Sequence, residues 1–429
     1  MDVPLIPKPQ ARLYPLDCAI QHYPWGGYDF IPKLLGGDNL ERKPCAELWI
    51  GAHPQAPSQV LGLAAQPPSL LQLVEGYPSE ILGAGVSRAF RNQLPYLLKI
   101  LDARQMLSIQ AHPNRDQAEA GFQREQQLGI NIKSPQRNYK DANPKPEVHV
   151  ALTEFWMLHG FRPWAEIAAT LAAEPGWQVL AAAAGCHPGQ AKPGWESQGD
   201  QIRSLYCQIM TLPQAEIDQL LRPLADRLQE HPPGDKNHPD YWAYLAMRDF
   251  SLPGGHLDRG IFSIYLLNLV HLLPGQGTYQ GAGILHAYLE GVNVELMANS
   301  DNVLRGGLTP KHVDVPELMK TLVFSSGTPE ILTGQTAAGP ERFFATPARE
   351  FLLSRIDLFP GTTYAAPPGH SADALIVLEG EIDALAPGQN LALKRGAVLL
   401  APFGVPYRLA ADRVPATVFR ASVPEVQLT

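Results

Sequence analysis

Between residues 10 and 160, and again beyond Pro340, glycine and proline cut the chain into short apolar runs, and that texture constrains it to antiparallel sheet more than anything else in the sequence. In the first stretch the runs are residues 45–52, 96–101 and 106–111. In the second they are 351–358, 373–379, 391–393, 398–401 and 417–421. Runs of this length bounded by turn formers read as strands, because proline cannot donate to a ladder and glycine gives the backbone the freedom a tight turn needs. The 41 prolines and 37 glycines are spread among apolar residues that make up 45% of the chain, which is the composition of a packed, turn-rich β protein and not of a disordered one. The later runs suggest an antiparallel barrel or jelly roll, and residues 396–402, Gly-Ala-Val-Leu-Leu-Ala-Pro, form a turn-bounded strand suited to one. Its one candidate ligand, His370, lacks a nearby histidine partner, so this barrel is expected to be structural and metal-free.

Helical spacing interrupts the strands. Residues 70–74 and 114–129 read as helices, the second capped by Asn114 and running through Ala118, Phe122 and Gln126 to Gly129. From 163 to about 260 the period lengthens: Ile167 and Leu171, then Ile217, Leu220, Leu221, Leu224 and Leu228, follow a helix face, with Pro223 expected to kink or split the second helix. Residues 180–198 read as a helix end and an exposed loop, with no phosphate-loop or dinucleotide fingerprint. Residues 259–273 are too densely apolar for a simple alternating strand and read as a buried helix. Residues 278–286 read as a turn delivering His286, and 292–297 as a strand on which Glu295 shares a face with Asn293 and Met297. A chain of 429 residues suits two or three domains. The expected division is 1–162 with 261–325, a helical insertion at 163–260, and a C-terminal jelly-roll barrel at 326–429.

Chemistry concentrates in three separated segments. Alternation along residues 107–112 places Ser108, Gln110 and His112 on one face, and Glu147 opens a second strand after two prolines that limit its backbone. With His286 these residues offer an amide, two imidazoles and a carboxylate, a mixed oxygen and nitrogen set suited to one borderline metal with a position left open, a catalytic zinc site. Spacing alone leaves the plainer reading standing, in which Gln110 and His112 are half-buried polar residues and Glu147 a solvated carboxylate.

The surrounding segments resemble the type I phosphomannose isomerases. The resemblance is carried by Leu-Pro-Tyr-Leu-Leu-Lys-Ile-Leu at 94–101, Leu-Ser-Ile-Gln-Ala-His-Pro at 107–113, Tyr-Lys-Asp-Ala-Asn-Pro-Lys-Pro-Glu at 139–147, Leu-His-Ala-Tyr-Leu at 285–289 and the run from Ala298 to Lys311. Tyr-Pro-Trp-Gly-Gly at 23–27 and Ala-Glu-Leu-Trp-Ile-Gly-Ala-His-Pro at 46–54 follow the same order. The resemblance implies a mainly β fold of cupin/jelly-roll barrels with a helical domain, one zinc per chain on Gln110, His112, Glu147 and His286, and interconversion of mannose 6-phosphate and fructose 6-phosphate.

That reaction opens a sugar ring, moves a proton between C1 and C2 through an enediol, and holds a phosphate. Arg305 matches the family's catalytic arginine; a guanidinium is a poor base at neutral pH, so its expected part is stabilising developing negative charge and orienting the substrate. The candidate proton carriers are Lys145, then Asp301, then Glu295. Their plainer readings are a lysine that neutralises Glu147 or binds phosphate, and an Asp301-Asn302 pair that shapes a turn. For the phosphate the candidates are Ser108, Lys99 and Lys311, with Arg305. Many relatives carry histidine where this chain has Pro144, so a relay role for that histidine does not transfer.

A formal net charge of −8 argues against broad nucleic-acid binding. The four cysteines contain no C-x-x-C pair, the start of the chain lacks the pattern of a secretory signal, and residues 262–273 are too short and interrupted to span a bilayer. A cytoplasmic monomer acting on a phosphorylated hexose, with no membrane or nucleic-acid partner, is expected. The alternative is a non-enzymatic cupin-like sugar-phosphate sensor. A metal-dependent oxygenase fits less well, because no short motif holds two histidines and a carboxylate.

Overall fold

The computed structural model describes residues 6–183, 198–336, 339–367, 369 and 371–425. Residues 184–197 of the expected loop and His370 lie outside the described residues.

The longest strand, His286–Ala298, organises the site-bearing half. From Gly291 onward it pairs with Tyr96–Ala103 on one side, and from Asn293 onward with Glu147–Ala151 on the other. Its first residues instead meet Ile109–Ala111 and Phe155–Phe161. The register slips between Tyr288 and Glu290, and Gly291 sits at φ 124° with no room for a Cβ against the Glu154 carbonyl. A bulge there bends the strand, so one segment serves two sets of neighbours. All the pairings are antiparallel, extending through Glu47–Gly51 and Ala19–Gln21 at one edge and Gly277–Gln280 at the other.

The C-terminal part stacks two antiparallel sheets, one of eight strands and one of four. Alternation divides their side chains cleanly. Leu375, Leu399 and Val418 face the four-stranded sheet with Tyr364, Ile382 and Leu409, whereas Ile376, Leu400 and Phe419 pack against Leu48, Ile100, Val148 and Val294 of the site-bearing half. Each such side chain contributes roughly 1.5–3 kcal/mol by leaving water. The eight-stranded sheet also takes in Tyr14–Asp17 from the start of the chain, with Tyr14 opposite Leu400.

The insertion is helical: Trp164–Ala173, Gln198–Thr211, Gln214–Glu230 and Pro239–Asp249 bury Ile167, Leu171, Ile202, Tyr206, Leu221 and Trp242 against Ile109, Ala111 and Leu158 of the sheet. Because Ile109 and Ala111 turn outward to the helices, Gln110 between them faces the other way. The helix expected to split at Pro223 runs through it as one element; the proline lies on the exposed face, where water can satisfy the carbonyl its ring leaves unpaired. Asn114 caps Arg115–Gln127 reciprocally with Gln117, as expected, but the buried stripe is Ala118, Gly121 and Glu125.

Two expected elements are corrected. The buried helix over 259–273 is a helix only over Gly260–Leu266, after which Leu267–Leu272 is a strand beside Phe155–Phe161. The turn over 278–286 begins as a strand, Gly277–Gln280, with Gln280 opposite Glu147. Gly277 marks close approach to the His149 carbonyl, which a Cβ would meet at 2.1 Å, and not a turn.

Candidate metal centre

Three strands and a loop bring the donors together. Gln110 lies opposite His286 on one side and Arg305 on the other, so the three side chains emerge on one face. Glu147 heads the neighbouring strand and is buried. Its Oε1 is 3.2 Å from His112 Nε2 and its Oε2 3.3 Å from His286 Nε2. His112 Nδ1 donates to the Asn302 carbonyl at 2.8 Å and His286 Nδ1 to the Ile284 carbonyl at 2.9 Å. A carbonyl can only accept, so each Nδ1 carries a hydrogen, and in the neutral ring the Nε2 lone pair then faces the carboxylate.

Two lone pairs and a carboxylate turned toward one another repel unless a cation lies among them. The ligand atoms of His112, Glu147 and His286 all lie within 4.8 Å of one another, and His112 Nε2 is buried without a hydrogen-bond partner. Burial, followed by the charge of Lys145, lowers His112 to about 4, which keeps its ring neutral. Burial would raise Glu147, but the charge of Lys145 holds it well below the usual carboxylate range. Two imidazoles, each oriented by a carbonyl behind it, and an ionised carboxylate are the donor set of a zinc site. Gln110 is half-buried beside it.

The loop behind His112 is laced to the segment before Glu147. Asn302 Oδ1 accepts from the Lys140 and Asp141 amides at 2.7 and 3.2 Å, its Nδ2 donates to the Asn143 carbonyl at 2.9 Å, and Asp141 accepts from Ser300 Oγ and the Asp301 amide. Asn302 and Asp141 therefore set where His112 points, although neither stood out in the sequence. Both belong to Asp-Asn turn chemistry, which looks the same whether or not a ligand hangs from it.

The other expected residues fall into two groups. Lys145 Nζ is 3.1 Å from Glu147 Oε1. Glu295 is buried deeper, 3.0 Å from Lys99 Nζ, and accepts from Tyr288 Oη at 2.8 Å; burial pushes its carboxyl up despite Lys99. Lys99 also lies 3.5 Å from Glu47, which in turn accepts from Trp49 Nε1 at 2.6 Å. Lys99 is thus enclosed between two carboxylates. Glu47, Trp49 and Tyr288 escaped notice because only strand register brings them to Lys99.

The second group lines a cavity of about 510 Å³: Asp301, Arg305 and Lys311, with Lys133, Lys140 and His312. Arg305 is half-buried and Lys311 exposed, and neither has an ion-pair partner among the described residues. Burial lowers both side chains, and for Lys311 the charges of Arg305 and Lys140 add to it. Lys133, Lys140, Arg305 and Lys311 outnumber the one carboxylate in this lining, Asp301, and that surplus of positive charge marks a place for an anion. Ser108 is half-buried just before the Gln110 strand.

Residues 13–164 match the family model described as phosphomannose isomerase type I, catalytic domain. The chain is 36% identical over 379 residues to mannose-6-phosphate isomerase of Escherichia coli K12, covering 88% of this chain and 92% of that one. It is 33% identical over 407 residues to the Homo sapiens enzyme of the same name, covering 90% and 93%. A crystal structure of mannose 6-phosphate isomerase from Salmonella typhimurium, bound to fructose 6-phosphate and zinc, superposes with a TM-score of 0.84 at 32% identity, covering 96% of this chain and 99% of that one.

Proposed function

Because the chain belongs to the type I phosphomannose isomerase family, we propose that the centre built on His112, Glu147 and His286 holds one zinc ion and that the protein interconverts mannose 6-phosphate and fructose 6-phosphate. The family carries the cupin-type fold with it. The observation that bears most weight is the pair of Nε2 lone pairs aimed at one buried carboxylate.

When bound, zinc supplies a Lewis acid that draws charge from substrate oxygens. Gln110 completes its oxygen and nitrogen ligands in this reading. Lys145, buried and within reach of Glu147, is assigned the proton that moves between C1 and C2, with Asp301 and then Glu295 next in order. Arg305, on the face it shares with Gln110, stabilises the charge of the enediolate. Lys311, which lines the cavity with Arg305, holds the phosphate, with Ser108 as a further donor, and so fixes the far end of the sugar while chemistry proceeds at C1 and C2. Lys99, considered for the phosphate from sequence, is better suited to keeping Glu47 and Glu295 compatible inside the sheet.

The proposed organisation is a catalytic unit of 1–162 and 261–325, a helical insertion of 163–260 and a C-terminal unit of 326–429, working as a cytoplasmic monomer. Unpaired Cys18, Cys45 and Cys207 support a reducing compartment. No helix among the described residues is long and apolar enough to cross a membrane.

The test is to follow fructose 6-phosphate formation from mannose 6-phosphate before chelation, after it, and after zinc return. Turnover that is lost and then restored supports the reading. Sugar-phosphate binding by zinc-loaded protein without turnover replaces it with a sensor.

A further inference from the structure

Asp301 is held from behind by two residues that nothing above puts to use. His53, 3% exposed, follows the Glu47–Gly51 strand and packs its ring edge-on against Trp49 at 4.7 Å. Its Nδ1 accepts from the Gln55 amide at 3.3 Å, so the proton of the neutral ring sits on Nε2, which stands 3.4 Å from Asp301 Oδ1. The Gln55 side chain donates to Asp301 Oδ2 at 2.8 Å, and the Asp301 amide donates to Asp141 Oδ2 at 2.8 Å. Both carboxylate oxygens and the backbone are therefore fixed. The Asp301 side chain remains 32% exposed and lines the same cavity as Arg305, Lys140 and Lys311.

A carboxylate meant only to shape a turn would bond within its own loop. This one is gripped by a buried imidazole and an amide from a segment nearly 250 residues away in sequence, and it lines a cavity that also holds Lys140, Arg305 and Lys311. We propose that His53 and Gln55 preset the Asp301 carboxylate as a hydrogen-bond acceptor for a hydroxyl of the bound sugar phosphate, His53 being a positioning residue that acts through Asp301. The inference rests on the sugar-phosphate reading above. Burial would raise the Asp301 carboxyl, but the contact with His53 lowers it, so the acceptor stays ionised. A carboxylate already oriented accepts a hydroxyl without the entropy cost of being fixed at binding, which is the advantage of preorganisation.

The test is a double-mutant cycle on zinc-loaded full-length protein with His53→Leu, Asp301→Asn and both together, reading kcat, KM and the Kd for fructose 6-phosphate. Asp301→Asn is expected to weaken kcat/KM by about 10²-fold and His53→Leu by about 10-fold, with the double variant no worse than Asp301→Asn alone. His53→Gln, which can still present a donor, is expected to recover part of the loss. Independent losses that multiply in the double variant overturn the proposal, and so does Asp301→Asn at full activity and affinity. Turnover by the unsubstituted protein tests the isomerase reading separately; the binding arm of the cycle reads the His53–Asp301 coupling even if turnover is absent.

Discussion

Gln110 and His286 stand directly opposite one another on antiparallel strands, and Arg305 stands opposite Gln110 on its other side. Three side chains proposed for one reaction are thus set by hydrogen-bonded register, a more rigid support than a loop. Glu147, from a fourth strand, faces both imidazoles at 3.2 and 3.3 Å.

Replacing Glu147 with Gln removes the charge on which the two imidazoles converge. Zinc content after dialysis is expected to fall, with turnover down by roughly 10²-fold or more, as for the loss of a group that tunes a metal site. Metal analysis beside the rate measurement checks this. Normal zinc content and near-normal turnover would remove Glu147 from the ligand set.

Arg305 and Lys311 have no carboxylate to leave unpaired, so substitution there is expected to alter chemistry without unfolding the protein. Arg305→Gln should lower kcat by about 10²–10³-fold, the usual cost of removing a donor aimed at developing negative charge. Lys311→Ala should instead raise KM by about tenfold and leave kcat nearly unchanged, because its expected contact is with the phosphate. Steady-state kinetics separate the two patterns, and a fall in kcat for Lys311→Ala would contradict its placement.

Lys99 serves the fold before it serves any ligand. Lys99→Met leaves Glu47 and Glu295 buried without their cation and is expected to cost roughly 3–5 kcal/mol. Glu295→Gln in the same chain should return part of that loss, since one of the stranded charges is gone. Denaturant unfolding of the single and double variants tests both statements; an unchanged midpoint for Lys99→Met rules the ion-pair role out.

Asp102 gives a stability signature in pH. Burial raises its carboxyl to about 6 in the fold, against about 3.9 for an unfolded chain. The folded state therefore holds the extra proton between those values, so this group's contribution is fully present below about pH 4 and is lost as pH rises through about 6. Asp102→Asn should remove that slope and gain about 1–2 kcal/mol at pH 8 relative to the parent, allowing for solvent screening. Parallel unfolding curves for variant and parent from pH 4 to 8 would disprove the assignment.

The strands of the C-terminal part were legible in sequence because each lies in a locally consistent segment, whereas His112, Glu147 and His286 were singled out through the resemblance of the segments around them, spacing alone having left them open. Residues 373–379 and 398–401 are strands with those bounds, and 147 opens its strand immediately after Pro146. What stayed hidden depends on partners distant in sequence. Lys99 looked like a free cation until register set it against Glu295 and, on the next strand, placed Glu47 within reach. Residues 278–280 read as part of a turn until a neighbouring strand paired with them, and the helical texture of 267–272 gave way because both sides of that strand are covered in part. His53 and Asn302 carry no local mark of their task, since a histidine after a strand and an asparagine in a turn are common for other reasons.

The strand Tyr14–Asp17, seated between Val398–Ala401 and Gln59–Val60, ties together stretches of chain at opposite ends of the sequence; Leu13 and Gln389, 376 residues apart, hydrogen-bond in both directions. A ribosome making this protein releases Tyr14–Asp17 long before Val398–Ala401, one of its two neighbours, exists. Until then the strand has only the short Gln59–Val60 segment to pair with, and its second edge is covered only once residues 398–401 have been made. Pairing across so long a stretch of chain is the kind of contact that slows folding, because loop-closure entropy is lost before the contact rewards it.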